Sequence, residues 1–185
     1  MRRLSVTPGF VASACLLAWY QWEICLWFLL ALAIHEAGHL LALALTRVSV
    51  QRITLAAGGA KIQTAEMTYR QEWICAAAGP AASIVFAGLL LRLCPTFSII
   101  SLGLAAINLL PLYPMDGGRA LRAILLRRLP PDQVNAILRL CVWVTCSTLM
   151  LGACWLTAQY QAGLWPIFLA LVLLCRAGNA ASELI

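Results

Sequence analysis

The sequence predicts an all-α membrane protein, a polytopic bundle of six transmembrane helices with a small β-hairpin at the cytoplasmic membrane surface. Of the 185 residues, 63% are apolar and 11% charged. A soluble domain of this length cannot hide that much apolar surface, and about half apolar is usual. The excess also falls in long blocks. Residues 24–34, 74–91, 93–115 and 140–175 contain no charged side chain, and the last three approach or exceed the roughly 18 residues needed to cross a hydrocarbon core of about 30 Å. The basic residues supply the third observation. With the N-terminus inside, every one of the 13 Lys and Arg residues except Arg92 falls on the cytoplasmic side, as expected of cytoplasmic loops.

The elements follow in order. The first span covers about residues 4–22, and the polar turn Gln21-Trp22-Glu23 leads into the second, 24–45. After a polar stretch, the third span runs over 73–93 and reverses at Cys94-Pro95-Thr96. The fourth, 97–110, is broken at its end by Pro111 and Pro114. Residues 116–133 carry a short helix and a Pro130-Pro131 stop, and spans over 134–158 and 164–176 complete the layout. Both termini are then cytoplasmic, the basic N-terminus heads a retained span rather than a cleaved signal peptide, and residues 1–185 form one domain. Residues 48–55 partly alternate and are rich in β-branched side chains. Gly58-Gly59 can turn them into a second extended piece, 60–63, which gives the hairpin.

The charge and cysteine content exclude other classes. A net charge of +6 reports which loops face the cytoplasm rather than a nucleic-acid partner. The eight cysteines all lie within or at the ends of apolar runs, where a thiol behaves as a small hydrophobe rather than as half of a disulfide framework.

The second span contains His35-Glu36-Ala37-Gly38-His39, with the only two histidines of the chain. Four residues apart on a helix, both rings share one face and can share one metal ion. Glu36 beside the first ligand suits a general base acting on water activated by the metal. Small Ala37 and Gly38 admit a neighbouring chain. The triplet lies roughly 16–22 Å into its span at about 1.5 Å per residue, and ionisable groups at that depth need partners or a wet cavity. A catalytic zinc commonly takes three protein ligands. Among the acidic residues Asp116 stands out, because Pro111 and Pro114 break the helix before it and Gly117-Gly118 permit unusual backbone angles. By spacing alone it is equally a third ligand or an ordinary helix N-cap.

These residues together resemble the site-2 proteases, a family of intramembrane zinc metalloproteases. The family's first signature is similar to His35-Glu36-Ala37-Gly38-His39. Its Asn-Pro-Asp-Gly signature is similar to the stretch from Asn108 to Gly118, and a glycine-proline element to Ala78-Gly79-Pro80-Ala81-Ala82-Ser83. The family often has asparagine where Ser83 stands. The resemblance implies one zinc ion held by His35, His39 and Asp116, with Glu36 as catalytic base. It implies for Asn108 a substrate-contacting or oxyanion-side role, beside the equal alternative of a helix-packing hydrogen bond. It further implies a multi-pass protein of a bacterial cytoplasmic membrane that cleaves a membrane-associated protein within the lipid bilayer. Val6-Thr7-Pro8, the brief hairpin and Asp116-Gly117-Gly118-Arg119 are most similar to the branch that processes a pro-sigma factor during sporulation, under an inhibitory membrane partner. No PDZ or CBS domain is expected. The hairpin then either holds an unwound substrate by strand addition or merely anchors at the surface. Two other functions use the same ligands, namely a metal transporter or sensor and an inactive homologue that only binds membrane proteins. The first would need further polar residues along a path through the bilayer, and the second would not need Glu36.

Overall fold

Arg3-Leu4-Ser5-Val6 alternates polar and apolar residues, the period of a half-buried strand, and it forms β1 (Arg3–Val6). The computed structural model describes residues 3–56 and 59–160 and, beyond them, 164, 166–168, 170–172 and 174–175. Of the sixth predicted span, 164–176, residues 166–168, 170–172 and 174–175 are helical, while 165, 169, 173 and 176 lie outside the described residues.

Two units make up the chain, residues 1–108 and 109–185. In the first, β1 leads into α1 (Pro8–Leu45), two helical arms joined at Gln21, whose φ of −153° and ψ of 92° are extended rather than helical. This is the predicted polar turn, compressed to a single non-helical residue. The first predicted span is corrected at its start. Leu4, Ser5 and Val6 belong to a strand, and the helix begins only at Pro8, where proline's fixed φ suits the first turn.

α1 ends in a Schellman motif. The Val48 amide donates to the Leu43 carbonyl at 3.0 Å and the Arg47 amide to that of Ala44 at 3.2 Å, with Arg47 at a φ of 57°, the left-handed conformation that closes such ends. The chain then forms β2 (Val50–Ala56) and β3 (Gly59–Thr64), the predicted hairpin, antiparallel with Ile53 opposite Ile62 and Thr54 opposite Lys61. β1 adds in parallel on the other side of β2, Ser5 beside Thr54, with their hydroxyls 2.9 Å apart. The sheet order is β1-β2-β3, so β3 is an edge. Val50 and Ile62 pack with Val48 and Met67 on buried Ala42, Leu43 and Cys75.

Thr68 caps α2 (Tyr69–Leu90) with a capping box, in which the Thr68 amide donates to Gln71 Oε1 at 2.9 Å. The Gln71 side chain also donates to the Thr46 carbonyl at 3.1 Å, tying the start of α2 to the end of α1. α3 (Pro95–Asn108) follows the reversal. Within this unit α1 packs against α2 and α3, and α2 against α3. The contact is close enough that a Cβ on Gly38 would meet the Ala78 carbonyl oxygen at 2.6 Å. Trp27 of α1 meets Phe97 of α3 edge-on, their ring centroids 6.3 Å apart.

The second unit opens with an irregular stretch, residues 109–115, folded on itself. The Leu112 amide donates to the Leu110 carbonyl and the Met115 amide to that of Leu112, both at 2.7 Å. Leu112 is buried with Cys146, Leu110, Met115 and Val142 around them. The short helix α4 (Asp116–Leu125) and the long helix α5 (Pro131–Tyr160) follow and pack on each other.

Three helices among the described residues are long and apolar enough to cross a membrane: Gln21–Leu45, Tyr69–Leu90 and Pro131–Gln159. α3 has 14 residues, about 21 Å at 1.5 Å per residue, which is short of a hydrocarbon core. Leu140, Trp143, Val144 and Leu151 stand exposed along α5, as side chains facing lipid do. The structure is thus mostly helical with a small sheet, as the sequence predicts, and the sheet has one more strand than the predicted hairpin.

Candidate metal centre

His35 and His39 project from the second arm of α1 toward α2. They are 3% and 8% exposed, burial that a neutral imidazole tolerates only with its nitrogens occupied. The structure occupies the Nδ1 atoms. His39 Nδ1 lies 2.7 Å from the Cys75 carbonyl oxygen, and His35 Nδ1 lies 3.0 Å from Ser83 Oγ. A carbonyl only accepts, so His39 carries its proton on Nδ1 and presents a lone pair at Nε2.

The two Nε2 atoms converge at 3.2 Å, with ring planes at 80° and centroids 4.9 Å apart. Two imidazole nitrogens bound to one tetrahedral zinc at about 2.0–2.1 Å would stand about 3.3 Å apart. The separation of the pair is therefore close to that of two nitrogens sharing such an ion.

The sequence positions the rings through glycine. Gly79 of α2 faces His39, and a Cβ there would fall inside van der Waals contact with Nε2, Cε1 and Cδ2 of the imidazole. One residue on, Pro80 lies inside α2 and has no amide hydrogen for the Ala76 carbonyl. The adjoining Cys75 carbonyl takes the His39 ring proton. The glycine-proline element thus seats the His39 ring against a locally loosened helix. Glu36, one residue past His35, is half-buried.

In the second unit Asp116 is buried, 8% exposed. It is the first residue of α4, and Met115 rather than Asp116 occupies the N-cap, without a side-chain capping bond. The N-cap alternative for Asp116 is thereby corrected. Arg119 lies one turn on, 3.9 Å from the carboxylate, at the outer limit of an ion pair. Gly117 and Gly118 lie within α4 and do not use the unusual backbone angles that glycine permits. They are needed for space, since a Cβ on Gly118 would meet the backbone of Leu112 and Tyr113 at 2.5 Å. At the end of the first unit, the Asn108 side chain donates through Nδ2 to the Leu104 carbonyl at 2.9 Å, a bond within its own helix.

Sequence reasoning did not assign Ser83 or the Cys75 carbonyl as partners of the imidazole rings. The hydroxyl had a signal, a polar side chain within an apolar run. The carbonyl had none, because backbone partners leave no trace in residue type.

Residues 90–149 match peptidase family M50, a range that includes Asn108 and Asp116. The chain is 31% identical over 111 residues to a zinc metalloprotease of Methanocaldococcus jannaschii, covering 53% of this chain and 33% of that protein. It is 34% identical over 105 residues to a candidate zinc metalloprotease of Synechocystis, covering 49% and 28%. The chain thus spans about a third or less of the length of these relatives. In structure it is similar to the site-2 protease from Methanocaldococcus jannaschii, with a TM-score of 0.69 at 21% identity over 96% of this chain and 90% of that one. The buried imidazole pair is therefore set in a site-2 protease fold, and residues 90–149 carry the match to peptidase family M50.

Proposed function

We propose that the chain is an intramembrane zinc metalloprotease that hydrolyses a peptide bond of a membrane-associated protein substrate. The observation that carries this reading is the buried histidine pair, its Nδ1 atoms occupied and its Nε2 atoms 3.2 Å apart. By motif resemblance His35, His39 and Asp116 would hold the metal ion, and zinc is the metal that the M50 match and the named relatives favour.

Bound by this set, a zinc ion supplies Lewis-acid activation of water and of the scissile carbonyl. Glu36 takes the proton from the attacking water and returns it to the leaving amine. The small residues beside it leave room for an extended substrate. A substrate helix hides its carbonyls in its own hydrogen bonds and must unwind first. The β3 edge (Gly59–Thr64) suits an unwound segment by strand addition. Asn108 is the residue on the substrate side of this reading. By motif resemblance the substrate extends to a pro-sigma factor of sporulation, with an inhibitory membrane partner controlling access. The basic-residue asymmetry and the apolar helices support a multi-pass protein of a bacterial cytoplasmic membrane with both termini cytoplasmic.

Co-expression of the protein, or its Glu36→Gln variant, with tagged single-span and pro-sigma substrates tests the reading. Wild type should shorten a substrate while Glu36→Gln loses activity about 10²–10⁴-fold and keeps its zinc. Cleavage that survives in Glu36→Gln would defeat the mechanism.

A further inference from the structure

We propose that Ser83 is the positioning residue of His35 and lets that ring change tautomer when the site takes up metal. The inference rests on the zinc reading above and concerns the first unit alone. The two histidines have chemically different partners. His39 faces a carbonyl, which fixes its proton on Nδ1. His35 faces a hydroxyl, which both donates and accepts.

For both rings to bind one ion, His35 must also present a lone pair at Nε2. Its proton then sits on Nδ1, and Ser83 Oγ accepts it. Without the ion, the 3.2 Å contact between the Nε2 atoms is a hydrogen bond only if His35 carries its proton there, since the His39 proton sits on Nδ1. Ser83 then donates to His35 Nδ1. One proton moves between the two nitrogens of the same ring, through solvent, and none is gained or lost. The Ser83 hydroxyl turns about one bond, and no heavy atom has to shift.

The helix packing holds Ser83 still for this task. Ser83 and Ser101 are fully buried, and Ser101 Oγ of α3 donates to the Ser83 carbonyl at 3.1 Å. That bond uses the backbone, so the Ser83 side chain remains committed to the imidazole. α1, α2 and α3 are thereby joined in one line, from ligand to hydroxyl to supporting helix.

The test uses full-length protein in detergent, with zinc affinity measured against a competing chelator. It also uses ¹⁵N spectra of the metal-free protein, in which the chain's two histidines give few resonances. Ser83→Ala should weaken zinc about 10–100-fold, the usual effect of losing a ligand's outer partner, and Ser83→Thr should restore it. In the metal-free protein, Ser83→Ala should move the His35 Nδ1 resonance and leave those of His39 in place. Ser101→Ala, which loosens the packing without touching the ring, should lower thermal stability and spare zinc affinity. Equal zinc affinity in wild type and Ser83→Ala would overturn the assignment, as would an equal loss in Ser101→Ala. If wild type takes up no zinc, the metalloprotease reading fails. The ring spectra then decide the assignment alone: a His35 signal indifferent to Ser83→Ala overturns it, and a shifted one upholds the Ser83 contact.

Discussion

In the first unit the histidine rings are held by side-chain bonds between packed helices, His39 to the Cys75 carbonyl and His35 to Ser83. In the second, Asp116 takes its place from the backbone of an irregular turn, residues 109–115, over which Gly117 and Gly118 close without room for a Cβ. The difference teaches where each kind of candidate ligand is vulnerable. A ring held by hydrogen bonds can be displaced while its helices remain folded. A carboxylate positioned by a folded-back turn is lost only when the turn itself gives way.

Two glycine substitutions should separate these cases. Gly117→Ala drives a methyl into the Leu109 and Leu110 backbone, which cannot retreat without opening the turn. A loss of about 3 kcal/mol is expected, the upper end for overpacking, read as a fall in the thermal midpoint of the detergent-solubilised protein. Gly79→Ala pushes on the His39 imidazole instead, and a ring can swing away. Zinc affinity should drop about 10–100-fold, as when a ligand loses its orienting contact, with thermal stability of the metal-free protein little changed. A large stability loss in Gly79→Ala, or none in Gly117→Ala, would erase the distinction. The smallest effect should come from Thr68→Ala. It removes the capping box at the start of α2 and should cost about 1 kcal/mol, visible as faster amide exchange in the first turn of α2 without a change in metal affinity.

The histidine pair was legible because an ionisable triplet inside an apolar run has few explanations, and helical spacing puts both rings on one face. The hairpin was legible from β-branched alternation and a Gly-Gly turn, and α5 from an uninterrupted apolar run. Strand β1 was not. Its four residues read equally as the basic flank of a membrane span, and only its pairing partner, more than forty residues away, decides the matter. The capping box Thr68-x-x-Gln71 was present in the sequence, but hydropathy set the start of the third span at residue 73, where the apolar run begins. For Gly117 and Gly118, composition signalled that something unusual was required. It did not tell freedom of angle from lack of space, and the structure shows the second.

β1 and β2 run side by side in parallel, and everything between them is α1 and its short end. A straight helix of 38 residues would carry the chain about 57 Å away, whereas neighbouring strands lie about 4.8 Å apart. The chain must therefore go out along one arm and come home along the other, reversing at Gln21. The arm bearing both imidazoles is the return limb of a closed circuit whose clasp is the four-residue ribbon β1.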